Sequence, residues 1–143
     1  HLSIRRQRQM CIRDRHYDWG PPADWQQDFV SAYATTHPWE DFAETWAHYI
    51  HIVDTLEMAF EFGMEVNPPA DQTGGLTTRV TFDPYVADDF DAIVTAWLPF
   101  TFAMNSVARA MGVRDLYPFI LTPPVIGKLR FIHELVQEAA SAA

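Results

Sequence analysis

Glu40, Glu44, His48 and His51 follow one another at steps of four, four and three residues. On an α-helix those steps put all four on one polar face, each about one turn from the next. Two carboxylates and two imidazoles so placed can ligate a divalent metal and orient a neighbouring ligand through a hydrogen bond. The same spacing suits a half-buried polar stripe with no metal at all. Glu40 and Asp41 also fall where a first helical turn would be, and acids there stabilise the helix dipole unaided. Spacing alone leaves both readings open.

The surrounding residues predict the helix that would carry this face. Pro38 suits a first turn. From there Trp39, Phe42, Ala43, Trp46, Ile50, Val53, Leu56 and Phe60 recur at steps of three and four, an apolar stripe expected to lie in the core, and Gly63 closes it. Glu40 and Glu44 then stand away from the stripe, on an expected open concave face. Upstream, Gly20-Pro21-Pro22 reads as a turn. Asp24 reads as the cap of a helix through Trp25, Phe29, Ala32 and Tyr33, broken by Thr35-Thr36-His37-Pro38. Residues 64–86, rich in Pro, Gly, Thr and Asp, read as a surface loop with a short strand at most between Leu76 and Phe82. A third helix is expected from about Asp88, its cap, to Met111. It is apolar nearly all round, hence central, with Pro99 inside and Gly112 after it. Pro123-Pro124 opens a last helix through Leu129, Ile132, Leu135 and Val136. The fold class is all-α, with about four helices.

Within that frame, Trp39-Glu40-Asp41-Phe42-Ala43-Glu44-Thr45-Trp46 resembles the E-x-F-A-E-x-aromatic motif that follows HExxH in zincin metallopeptidases of the lethal-factor-like type. More closely, residues 16–143 resemble the C-terminal part of a bacterial family of zinc-binding metallopeptidases. The stretches that carry the likeness are Gly20-Pro21-Pro22-Ala23-Asp24-Trp25, His37 through Tyr49, Asp115-Leu116-Tyr117-Pro118-Phe119 and Pro123-Pro124-Val125-Ile126. The resemblance implies the helical C-terminal part of a zincin-like domain. In such enzymes two histidines one turn apart hold zinc, and the glutamate between them activates water for peptide-bond hydrolysis. A carboxylate from a later helix is the third ligand. That ligand falls on Glu40; Glu44, one turn along, and His48 fall in the layer that orients the ligands.

The departure from the family's pattern is equally specific. His1, His16, His37, His48, His51 and His133 are the chain's histidines, and none belongs to an HExxH; His133-Glu134 begins one, but Gln137 stands where the second histidine is required. The expectation is therefore a fragment, inactive and without tight zinc binding alone, of a protein that uses zinc and a peptide or protein substrate. A non-catalytic helical interaction module is the rival reading. A self-contained carboxylate-bridged metal bundle is disfavoured, because Glu-x-x-His pairs on other helices are absent.

Composition bounds the rest. With 48% hydrophobic and 14% aromatic residues the chain can bury one core. The single cysteine, Cys11, excludes an internal disulfide framework and fits a reducing, cytoplasmic setting. Net charge is −9, and five of the ten basic residues lie in residues 1–15, so the remainder is more acidic still and disfavours nucleic acid. The most apolar run, Ala92 to Met104, is shorter than the ~20 residues a membrane span needs. Residues 1–15, ending Gln9-Met10-Cys11-Ile12-Arg13-Asp14-Arg15, lack apolar periodicity and resemble translated sequencing-adapter sequence. They are expected to be non-native and unstructured, with the natural chain continuing upstream of His16. Trp97, Phe100, Phe102 and Met104 read as helical core, and Thr101, Asn105 and Arg109 as a polar line that satisfies helix ends. His51 with Asp54 reads as an exposed pair, and His133 as a partly buried surface residue.

Overall fold

The computed structural model describes residues 20–142, so the expectation for residues 1–15 lies outside the described residues. Three α-helices account for most of these residues: α1 (Pro38–Glu61), α2 (Phe90–Ala110) and α3 (Pro123–Ser141). Two short strands, β1 (Glu65–Val66) and β2 (Thr78–Arg79), pair antiparallel with Glu65 opposite Arg79 and Val66 opposite Thr78. The fold is mostly helical, with three α-helices rather than four among the described residues. The helix expected after Asp24 is replaced by two 3-10 turns, Trp25–Gln27 and Tyr33–Thr36. Local chemistry explains the loss. The Ser31 hydroxyl accepts from the Ala34 N–H, and Thr35 and Thr36 donate to the carbonyls of Ala32 and Tyr33. The Gln27 and Asp28 carbonyls accept instead from Thr122 and Lys128, far along the chain. Ser and Thr offer the backbone such alternatives to a continuous helix.

The chain divides into two compact units. Among the described residues, those up to Tyr49 with Phe119–Ile132 form one, and Ile50–Pro118 with those from His133 onward form the other. In the first, Lys128 fixes α3: its ammonium donates to the Asp28 carbonyl at 2.7 Å and to Asp41 at 2.7 and 2.9 Å, and lies 4.3 Å from the Phe29 ring centre. The start of α1 is held by an imidazole. His37 Nδ1 accepts the Trp39 N–H at 3.0 Å, an N-cap bond by a ring nitrogen rather than the usual side-chain oxygen. His37→Ala is expected to destabilise the chain by about 0.5–2 kcal/mol, as loss of a cap does, with urea denaturation as the measurement. An unchanged midpoint would show that Pro38 and the acidic first turn suffice.

In the second unit α2 carries most of the core: Phe90, Ile93, Val94, Trp97 and Phe100 are buried on it. Its N-cap is Asp89, which accepts the Asp91 N–H, one residue beyond the expected Asp88. At its end Val113 donates to Ala108 and Gly112 to Arg109, with Gly112 at φ 75°; α1 ends in the same way at Gly63, φ 59°. Both are Schellman closures, which need a left-handed residue and so favour glycine. Of the polar line on α2, Asn105 and Arg109 hold the loop that follows, whereas the buried Thr101 hydroxyl has no hydrogen-bond partner among the described residues and satisfies no helix end. Asn105 donates to the Tyr117 carbonyl at 2.8 Å and accepts the Tyr117 N–H at 3.1 Å, while Arg109 makes a two-point ion pair with Asp115. Burial pushes the Tyr117 phenol pKa up. The β1–β2 pair lies against α2.

Several expected burials are corrected. On α1, Trp39 is 69% exposed, and Phe42, Ile50 and Phe60 are exposed too; Val53 and Leu56 are fully buried as expected. The buried line is Thr45, His48, Tyr49, Ile52, Val53, Leu56 and Ala59, rotated around the axis from the stripe. α2 is one-sided rather than buried all round, with Leu98, Phe102 and Val107 facing outward. Asp54 accepts from the Tyr85 hydroxyl, not as the expected partner of His51. His133 is only 2% exposed, its Nε2 bonded to the Ala87 carbonyl at 2.8 Å and its ring against Phe90. It is a satisfied core histidine.

Candidate functional site

Glu40 is the third residue of α1, in the first turn, and is half-exposed. Among the described residues its carboxylate has no hydrogen-bond or ion-pair partner. Glu44 stands about 40° away around the helix, one turn on. Unlike Glu40, it is held: Ser31 donates to its Oε2 at 2.7 Å, and the same hydroxyl accepts the Ala34 N–H. A turn upstream of α1 thus fixes the second carboxylate and leaves the first available. Ser31 was not foreseen from the sequence, because it lies thirteen residues before Glu44 and belongs to no helical pattern. Ala43 and Ala47, within about 60° of Glu40, keep the ground beside the carboxylates low.

His48 and His51 do not join this pair as ligands of one visible cluster. His48 is buried, 5% exposed, its ring edge-on to Phe119 at 4.4 Å between centres; His51 is exposed. Among the described residues no group of three or more His, Cys, Asp or Glu could hold a metal ion. Glu40 does not line the cleft described for this unit. The cleft in this unit, ≈ 460 Å³, is lined by Pro38, Asp41, Phe42 and Thr45 of α1 and by α3. Glu40 stands about 100–160° around the axis from Asp41, Phe42 and Thr45. It stands on a different side of α1 from the residues that line this cleft.

What this face belongs to is decided by comparison. A family model described as "Putative zinc-binding metallo-peptidase" matches residues 7–135, and so nearly the whole chain. The chain belongs to that family. It is also 47% identical over 127 residues to uncharacterized proteins of Mycobacterium bovis and of two strains of Mycobacterium tuberculosis. Those matches cover 89% of this chain and 35% of each relative, so the chain spans about a third of the length of the curated relatives it matches. No solved structure matches. The relatives are bacterial, and among the described residues of this family member no helix is long and apolar enough to cross a membrane.

Proposed function

We propose that this chain supplies one zinc ligand, Glu40, to a peptidase domain whose histidine ligands and general base are contributed by sequence outside these residues. The observation that carries the reading is the contrast between the two carboxylates. Glu44 is anchored by Ser31, whereas Glu40, on the same open face, has no partner among the described residues. Zinc in such a site supplies Lewis-acid activation of water for hydrolysis of a peptide or protein substrate. Glu40 holds the metal. Glu44, itself oriented by Ser31, is placed to fix a ligand's ring, and His48 stiffens the helix beneath from its seat against Phe119. The domain is zincin-like, with α1 as the helix that follows the HExxH helix.

One carboxylate does not hold zinc tightly, since structural and catalytic sites use three or four protein ligands. Zinc titration of the purified chain is expected to show no stoichiometric site. Sub-micromolar binding abolished by Glu44→Ala or His48→Ala would point to a self-contained metal bundle and overturn the assignment. The same proposal expects a full-length relative to hydrolyse peptides in a zinc-dependent way.

A further inference from the structure

Among the described residues, the outward face of α2 carries a seam with no partner helix. Phe100, Met104, Val107 and Met111 follow at steps of four, three and four, the spacing by which one helix presents ridges to another. Together with Met64 and Val66 they line an apolar cleft of ≈ 490 Å³. Phe100 forms its buried floor, while Val107 is 60% and Met111 75% exposed. The cleft is walled by α2, by β1 and by the loop after α2, and neither α1 nor α3 lines it. Contiguous apolar surface of this kind marks an interaction site rather than ordinary solvent-facing surface. The period selects the class of partner: a strand would match alternate residues, whereas a four-three-four seam accepts a helix with its own apolar stripe. Methionines at Met64, Met104 and Met111 let the groove adjust to that stripe.

We infer that this groove seats an amphipathic helix from the same polypeptide in the longer members of the family. The source follows from length: the matched region is 35% of the relatives, so most of each relative lies outside it and is tethered to it. A tethered segment acts at high effective concentration and needs no strong surface of its own. The inference is independent of zinc, because Glu40 and the groove belong to different units.

Hydroxyl-radical footprinting of this chain and of the full-length Mycobacterium tuberculosis relative tests it. Side chains of residues 98–116 are expected to label readily in this chain, and the matching stretch several-fold less in the full-length relative. Equal labelling overturns the inference. Protection in this chain alone that grows with its concentration would also overturn it, by naming a second copy as the occupant. Val107→Glu provides the second arm. It is expected to leave the melting temperature of this chain unchanged and to restore labelling or lower the melting temperature in the full-length relative. No effect in the full-length relative refutes the seated helix.

Discussion

Replacing Glu40 by alanine in a full-length relative is expected to remove most of the bound zinc and most of the peptidase activity, with helix content intact. The separation of these effects follows from where Glu40 stands. It contributes to α1 only as an acid in the first turn, an effect of about 0.3–1 kcal/mol, and Asp41 beside it keeps that contribution in part. Nothing among the described residues is bonded to its carboxylate, so its removal opens no cavity and orphans no donor. A metal centre with three protein ligands, by contrast, loses a third of those ligands. Glu44→Ala is expected to be milder, about 10–100-fold in affinity or activity, the scale for residues that orient ligands. Ser31→Ala should move in the same direction as Glu44→Ala, because the Ser31 hydroxyl is what holds that carboxylate. Zinc content by atomic absorption, turnover and far-UV circular dichroism on the same preparations are the measurements. Full occupancy and turnover in Glu40→Ala would sink the ligand assignment and leave α1 as a non-catalytic interaction helix.

The parts of this picture that the sequence carried are those with local causes. The start of α1 at Pro38, its closure at Gly63, the closure of α2 at Gly112 and the opening of α3 at Pro123 each rest on one residue's backbone preference, and all are present. The Glu40–Glu44 spacing likewise needs only a helix. What failed needed knowledge of partners. Trp39 and Phe42 have the identity and period of core residues, yet no element among the described residues buries them. Periodicity shows that a face is apolar, not which element covers it. The helix expected at residues 24–33 failed for a related reason, since the Gln27 and Asp28 carbonyls are taken by Thr122 and Lys128. A bond across some hundred residues leaves no trace in a local window. β1 was missed because two residues paired at Glu65 and Val66 are too few to show alternation.

The largest effect on stability is expected at Trp97. Its side chain is 2% exposed and stands edge-on to Tyr117 at 5.0 Å between ring centres. Trp97→Ala should cost about 3–5 kcal/mol, the range for deleting a buried aromatic side chain. Against a total stability of about 5–15 kcal/mol for an ordinary domain, that is a large share of the margin. The loss is expected to spread to the loop after α2. Tyr117 is the residue whose backbone Asn105 grips at both its N–H and its carbonyl, so the ring and the main chain are held from the same helix. Asn105→Ala alone should cost about 1–3 kcal/mol, because the gripped backbone groups lose their partner in a buried place. The two substitutions share Tyr117, so their effects should not add: once one has released the loop, the other removes less, with a coupling of about 0.5–3 kcal/mol. Urea denaturation of the wild type, both single variants and the double variant measures all three terms. A cost below about 1 kcal/mol for Trp97→Ala would show that the side chain is not packed as described. Strict additivity would show instead that Asn105 and Trp97 hold Tyr117 independently, and that the polar line on α2 secures the loop without help from the aromatic core.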